Sequence, residues 1–140
     1  MSITGSCGCN NIQLAWQVVD LSMVPRACQC SYCAAKSAAY VSKSGSKVEV
    51  SILNKRFHKI VQHGSGTASF HECTNCGDVV VVTAEIDGEI YAAVNANILK
   101  VIAKLPKAIK TNFSDQSAVQ KRQRWRENWC CPVIMPERSS

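Results

Sequence analysis

Hydrophobic and polar positions alternate along much of this chain. In residues 11–19, Ile12, Leu14, Trp16 and Val18 fall on one side and Gln13 and Gln17 on the other, the pattern of a half-buried strand. Residues 40–41 and 48–52 read as short strands around a polar turn at Gly45. Residues 57–62 read as another, ended by His63-Gly64-Ser65-Gly66. Residues 67–71 lead into a pair of cysteines. The apolar runs 79–86 and 89–94 flank Asp87-Gly88, a strong hairpin signal. Ala34-Ala35-Lys36-Ser37 reads as a short turn. Over 96–110, Leu99, Ile102 and Ala103 would line a short helix that Pro106 interrupts. The best helix is 117–129. There Ser117 and Gln120 form a capping box, Ala118, Trp125 and Trp129 share a face, and Pro132 stops it. The prediction is a mainly β chain with one short helix near the C-terminus. No fixed-period repeat or long linker divides it, so residues 1–140 are expected to form a single domain.

Composition changes this picture in two ways. The 7 Gly, 4 Pro and 9 Cys suggest a loop-rich fold. The net charge of +6 is uneven: residues 1–70 carry seven Lys/Arg against two acids, and residues 71–140 carry nine against eight. Such basicity fits an anionic small substrate, and equally fits simple solubility. Arg122, Arg124 and Arg126 at helical spacing read as the wet side of an amphipathic helix, so no nucleic-acid partner is expected. The first ten residues have neither a charged n-region nor an apolar h-region. No apolar run approaches the roughly 20 residues of a membrane span. The expectation is a cytoplasmic protein without a membrane partner, its thiols reduced.

The cysteines carry the chemistry. Cys28-Gln29-Cys30-Ser31-Tyr32-Cys33 places three thiols within six residues, and Cys7-Gly8-Cys9 and Cys73-Thr74-Asn75-Cys76-Gly77 supply four more. With no export signal and an odd number of cysteines, soft-metal ligation is a better reading than a disulfide framework, and zinc is the expected metal. Cys7 and Cys9, at i and i+2 of an extended segment, would share a face and meet the Cys73/Cys76 knuckle in a closed, structural site. Cys73-x-x-Cys76 precedes Val79-Val80-Val81-Val82, a strand, whereas a redox dithiol is expected to open a helix. Cys28, Cys30 and Cys33 leave a fourth position open. Two zinc ions per chain are expected. A three-thiolate zinc suits sulfur chemistry better than water activation, because a substrate thiol binding there becomes a thiolate at neutral pH. Lys36, three residues after Cys33, is a candidate contact for an anionic substrate group. Of the histidines, His71 is the best alternative ligand, although lone histidines on strands more often satisfy the core. Cys130 and Cys131 read as partly buried thiols.

Gly5-Ser6-Cys7-x-Cys9, Cys28-x-Cys30-Ser31-x-Cys33-x-x-Lys36 and Cys73-x-x-Cys76-Gly77, in this order, resemble the glutathione-dependent formaldehyde-activating enzyme family, which also contains centromere protein V. The resemblance covers residues 5 to about 95, with Arg122-Gln123-Arg124-x-x-Glu127-Asn128-Trp129 similar to the tail of some members. It implies an Mss4-like fold of antiparallel sheets pinned by zinc. Cys7, Cys9, Cys73 and Cys76 would form the structural site, and Cys28, Cys30 and Cys33 would hold the catalytic-type zinc. The implied activity is that of a carbon–sulfur lyase that makes and breaks S-hydroxymethylglutathione from glutathione and formaldehyde. The chain departs from the family pattern at Ser37-Ala38-Ala39, where glycine is usual, and at Glu72, where an aromatic is usual. The competing reading is a non-catalytic, zinc-stapled module that binds a protein or nucleic acid. A protein fourth ligand at the second zinc, such as Cys130 or His71, would favour it.

Overall fold

A computed structural model describes residues 2–18, 20–28, 31–62, 68–111 and 116–135; the side chains at 28, 31–33 and 103 lie outside the description. The fold is mainly β. Strands β1 (Ser2–Ser6), β2 (Ile12–Gln17), β5 (Val48–Ile52) and β11 (Val133–Ile134) form one sheet in that order. The second sheet has the order β10 (Ile109–Thr111), β3 (Arg26–Cys28), β4 (Tyr40–Val41), β9 (Glu89–Asn95), β8 (Val79–Ile86), β7 (Ser69–Cys73), β6 (His58–Gln62). All pairings are antiparallel except β10 with β3 and β11 with β5.

Alternation places the core. Ile12, Leu14, Trp16 and Val18 are all buried, as their spacing predicts, and pack with Val48, Val50, Val41, Val80 and Val94 from both sheets. Trp16 satisfies its indole N–H on Ser46 Oγ at 2.8 Å, so this large ring is buried without an orphaned donor. β8 is buried on both faces, because helix α2 (Ala118–Asn128) covers the far side. Trp125 joins Val82, Ala84, Ile86 and Ala93 there and stacks on Trp129, with ring centroids 4.6 Å apart. The Asp87-Gly88 hairpin forms as predicted, with φ of 53° and 83°, the positive pair a tight two-residue turn requires.

Several expectations are corrected. β1 pairs with β2, so Cys7 and Cys9 lie in the turn of a hairpin and not in an extended run. Residues 34–37 are no isolated turn: α1 (Ser31–Lys36) is helical, and Ser37 (φ 53°) follows it. Residues 96–110 hold two short 3-10 turns, Ala96–Ile98 and Ile102–Lys104; Leu99, which caps the first, is buried, whereas Ile102 is exposed. Residues 55–57 are a 3-10 turn before β6. β1 presses on the first of the 96–110 turns at Gly5, where a Cβ would lie 2.5 Å from the Ile98 carbonyl oxygen. Among the described residues no helix is long and apolar enough to cross a membrane.

Candidate metal centre

Two tight turns bring four cysteines together. In the β1–β2 turn the Cys7 N–H donates to Ile12 O (3.0 Å), and the Asn10 N–H donates back to Cys7 O (3.0 Å), with Asn10 at φ 65°. Between β7 and β8, Cys73 N–H donates to Asp78 O (2.9 Å) and Gly77 N–H to Cys73 O (2.7 Å), with Gly77 at φ 82°. Glycine has no Cβ to oppose that left-handed conformation, so the chain turns back after Cys76 without strain. The sulfurs of Cys7, Cys9, Cys73 and Cys76 all lie within 4.8 Å of one another. Cys7 to Cys9 is 3.7 Å and Cys9 to Cys73 is 3.5 Å. A tetrahedron with Zn–S bonds of about 2.3 Å has edges of about 3.8 Å, so the donor set fits one zinc ion.

The surroundings favour closure. Cys7 and Cys73 are buried and Cys9 and Cys76 face outward. Ile12 N–H donates to Cys7 Sγ at 3.3 Å. Asp78 ties the two turns together: its Oδ2 accepts the Gly8 N–H at 2.7 Å and lies 3.7 Å from Cys76 Sγ. Thr74 N–H donates to Phe57 O at 2.8 Å, anchoring the knuckle to the turn before β6. Without metal the thiols are unequal. Hydrogen bonding from Asn75 is the main cause holding Cys9 down at about 6. Burial pushes Cys73 up to about 12 and raises Cys7. Zinc binding requires all four as thiolates and therefore releases protons.

The second cluster is placed only through its backbone. Cys28 ends β3, in register with Thr111 of β10, and Cys33 lies in α1. Cys30 and the side chains of Cys28 and Cys33 lie outside the described residues. Lys36, at the end of α1, reaches the knuckle: Nζ donates to Gly77 O at 3.1 Å and lies 3.6 Å from Glu72 Oε1. Glu72 is thus a buried carboxylate with a cationic partner, as a buried charge requires. Asn97 Nδ2 donates to Ser37 O at 2.7 Å, and Ala96 N–H donates to Ala39 O at 2.7 Å. Together these bonds fix the exit of α1 against the end of β9.

The candidate alternative ligands are engaged elsewhere. His71 is buried, with Nδ1 2.9 Å from His58 Nε2 and Nε2 2.8 Å from Thr83 Oγ1. Cys130 is buried in the core, where its N–H and C=O pair with Ala92 and burial raises its thiol pKa. Cys131 is half-buried, with Sγ 3.7 Å from Glu89 Oε2. Sequence reasoning passed over Asp78, Asn95 and Asn97. Only their nearness to the glycine of the knuckle and to the end of a strand pointed to them.

Comparison with known proteins agrees with the cysteine geometry. The family model for the glutathione-dependent formaldehyde-activating enzyme matches residues 2–115, a span that contains all seven metal-type cysteines. No curated protein matches. The crystal structure of a Rhodobacter sphaeroides protein is similar, with a TM-score of 0.57 and 19% identity over 76% of this chain and 99% of that one, a likeness of fold alone. With most of its length matched, this chain belongs to the glutathione-dependent formaldehyde-activating enzyme family.

Proposed function

We propose that the chain is a zinc-dependent carbon–sulfur lyase that interconverts glutathione and formaldehyde with S-hydroxymethylglutathione. The observation that carries this reading is the family match over residues 2–115. Two zinc ions serve it. Cys7, Cys9, Cys73 and Cys76 hold the structural one, for which their sulfur spacing is suited. Cys28, Cys30 and Cys33 hold the second, and the engagement of both ring nitrogens of His71 elsewhere supports an open fourth position there. The protein acts as a single zinc-binding domain over residues 1–140, in the cytoplasm, with a small thiol as its partner.

When bound at the second cluster, the metal supplies a position at which a thiol is held as thiolate near neutral pH. The chain does the rest. The knuckle and the Lys36 contacts hold the end of α1, and with it the backbone around Cys33, against β8 and β9. Lys36 contacts an anionic group of the thiol substrate. In the forward direction the substrate sulfur adds to the formaldehyde carbon. A C–S bond forms, the C=O π bond becomes a C–O bond, and the proton lost by the thiol ends on the new hydroxyl. Cleavage reverses each change, and no electron acceptor is needed.

Exchange NMR on a glutathione–formaldehyde mixture tests the proposal, because it reads the rate at which free thiol and adduct interconvert. Zinc-loaded protein is expected to raise that rate by at least about tenfold over buffer, equivalent to about 1.4 kcal/mol of barrier. An unchanged rate opposes the lyase reading.

A further inference from the structure

Beside the four-cysteine site, between the end of α1 and the knuckle, lies an open cleft of about 240 Å³. Its lining includes Ser6, Lys36, Asp78, Asn95, Asn97 and Ile98. Pockets that enclose a whole drug-sized ligand run to roughly 300–1,000 Å³, so this one suits a single arm of a peptide.

Its charges decide which arm. Lys36, bonded to Gly77 O, and Asp78, the next residue, both line the cleft, and no ion pair between them is among those of the described residues. The Lys36 ammonium has three donors; one is bonded to Gly77 O, and the group also pairs with Glu72 at 3.6 Å. Asp78 uses Oδ2 on Gly8 and Cys76, and among the described residues Oδ1 has no partner. Asn97 donates through Nδ2 to Ser37 O, which leaves its side-chain oxygen as an acceptor. A lone carboxylate entering here would meet one cation but also Asp78, Glu72 and the thiolates of the metal site. A lone cation would meet Lys36. A zwitterion satisfies both signs: its carboxylate faces Lys36, and its ammonium faces Asp78 and Asn97.

We propose that this cleft receives the zwitterionic α-amino-acid head of a γ-glutamyl thiol, with Lys36 and Asp78 as its charge partners. The proposal rests on the thiol-substrate reading above and deepens it by assigning one end of the substrate. Lys36, which lines the cleft, ends the helix that carries Cys33 of the second cluster. The glycine end of glutathione carries a carboxylate without an ammonium and does not match the cleft.

Calorimetry with thiol-free peptides on the zinc-loaded full chain separates this subsite from the metal. The parent probe is γ-glutamyl-2-aminobutyryl-glycine, in which a methyl group replaces the thiol. Removing its α-ammonium is expected to weaken binding by about tenfold, the scale of a charge-assisted hydrogen bond. Removing the glycine should change binding by less than about threefold. Asp78→Asn retains an acceptor for the Gly8 N–H. It should weaken the parent by about tenfold yet leave the desamino peptide unaffected, a coupling that general damage to the fold would not produce. Equal affinity of parent and desamino peptides, a dominant loss on removing glycine, or no binding of the parent at millimolar concentration would each overturn the assignment. The thiol reading fails by a different sign: glutathione itself binding no more tightly than the methyl probe.

Discussion

His71 is held as a neutral imidazole between His58 and Thr83, its ring stacked within 8° of parallel on that of His58. Burial first, and the charge of His58 second, hold its pKa down to about 4, against an ordinary 6.5. Between those values the unfolded chain binds a proton that the folded chain refuses. The stability His71 contributes is therefore complete above about pH 6.5 and is lost as pH falls through about 4, to a limit of about 3 kcal/mol. An NMR titration of its ring protons should show a midpoint near 4. A midpoint near 6.5 would mean that the ring is not shielded as the structure has it. The same enclosure explains why His71, two residues before Cys73, is a poor metal ligand: both ring nitrogens already have partners.

Among the elements, α2 is the clearest case of sequence dictating form. Ser117 Oγ accepts the Gln120 N–H at 3.1 Å, and the Gln120 side chain accepts the Ser117 N–H at 2.8 Å. Ser117→Ala should cost about 1 kcal/mol in urea unfolding, the usual value of such a cap. No loss would mean that α2 is held by Trp125 alone. Capping, the Asp87-Gly88 turn and the alternation in β2 were legible because each depends on residues near one another in sequence. β10 and β11 were not, because their ladders depend on distant partners: β11 on β5 and β10 on β3. Helix α1 was hidden for another reason. Read as metal ligands, Cys30 and Cys33 drew attention from the local signal of Ala34, Ala35 and Lys36, all good helix formers. That Cys7, Cys9, Cys73 and Cys76 come together was legible from spacing, whereas the Asp78 clamp across two turns was not.

For the whole molecule, the proposed function gives the two cysteine clusters different parts. The four-cysteine cluster joins the β1–β2 turn to the β7–β8 knuckle, so a zinc ion there would link the two sheets. Binding free energy at such a site is folding free energy. Cys76→Ser is therefore expected to lower thermal stability sharply and to reduce zinc from two ions per chain. Cys30→Ser should retain the structural ion and most of the stability while losing thiol-exchange activity. Equal, large losses of stability in both variants would make both sites structural and favour the binding-module reading.

The central claim is that a substrate thiol becomes a ligand of the second metal. Cobalt in place of zinc reports this directly, because its visible absorption changes with a new sulfur ligand. Adding glutathione to the cobalt-loaded protein should alter the spectrum, and S-methylglutathione, which has no thiol to ionise, should not. The change should disappear in Cys30→Ser. A spectrum untouched by glutathione at millimolar concentration would contradict the claim and leave a zinc-stapled binding module as the better account.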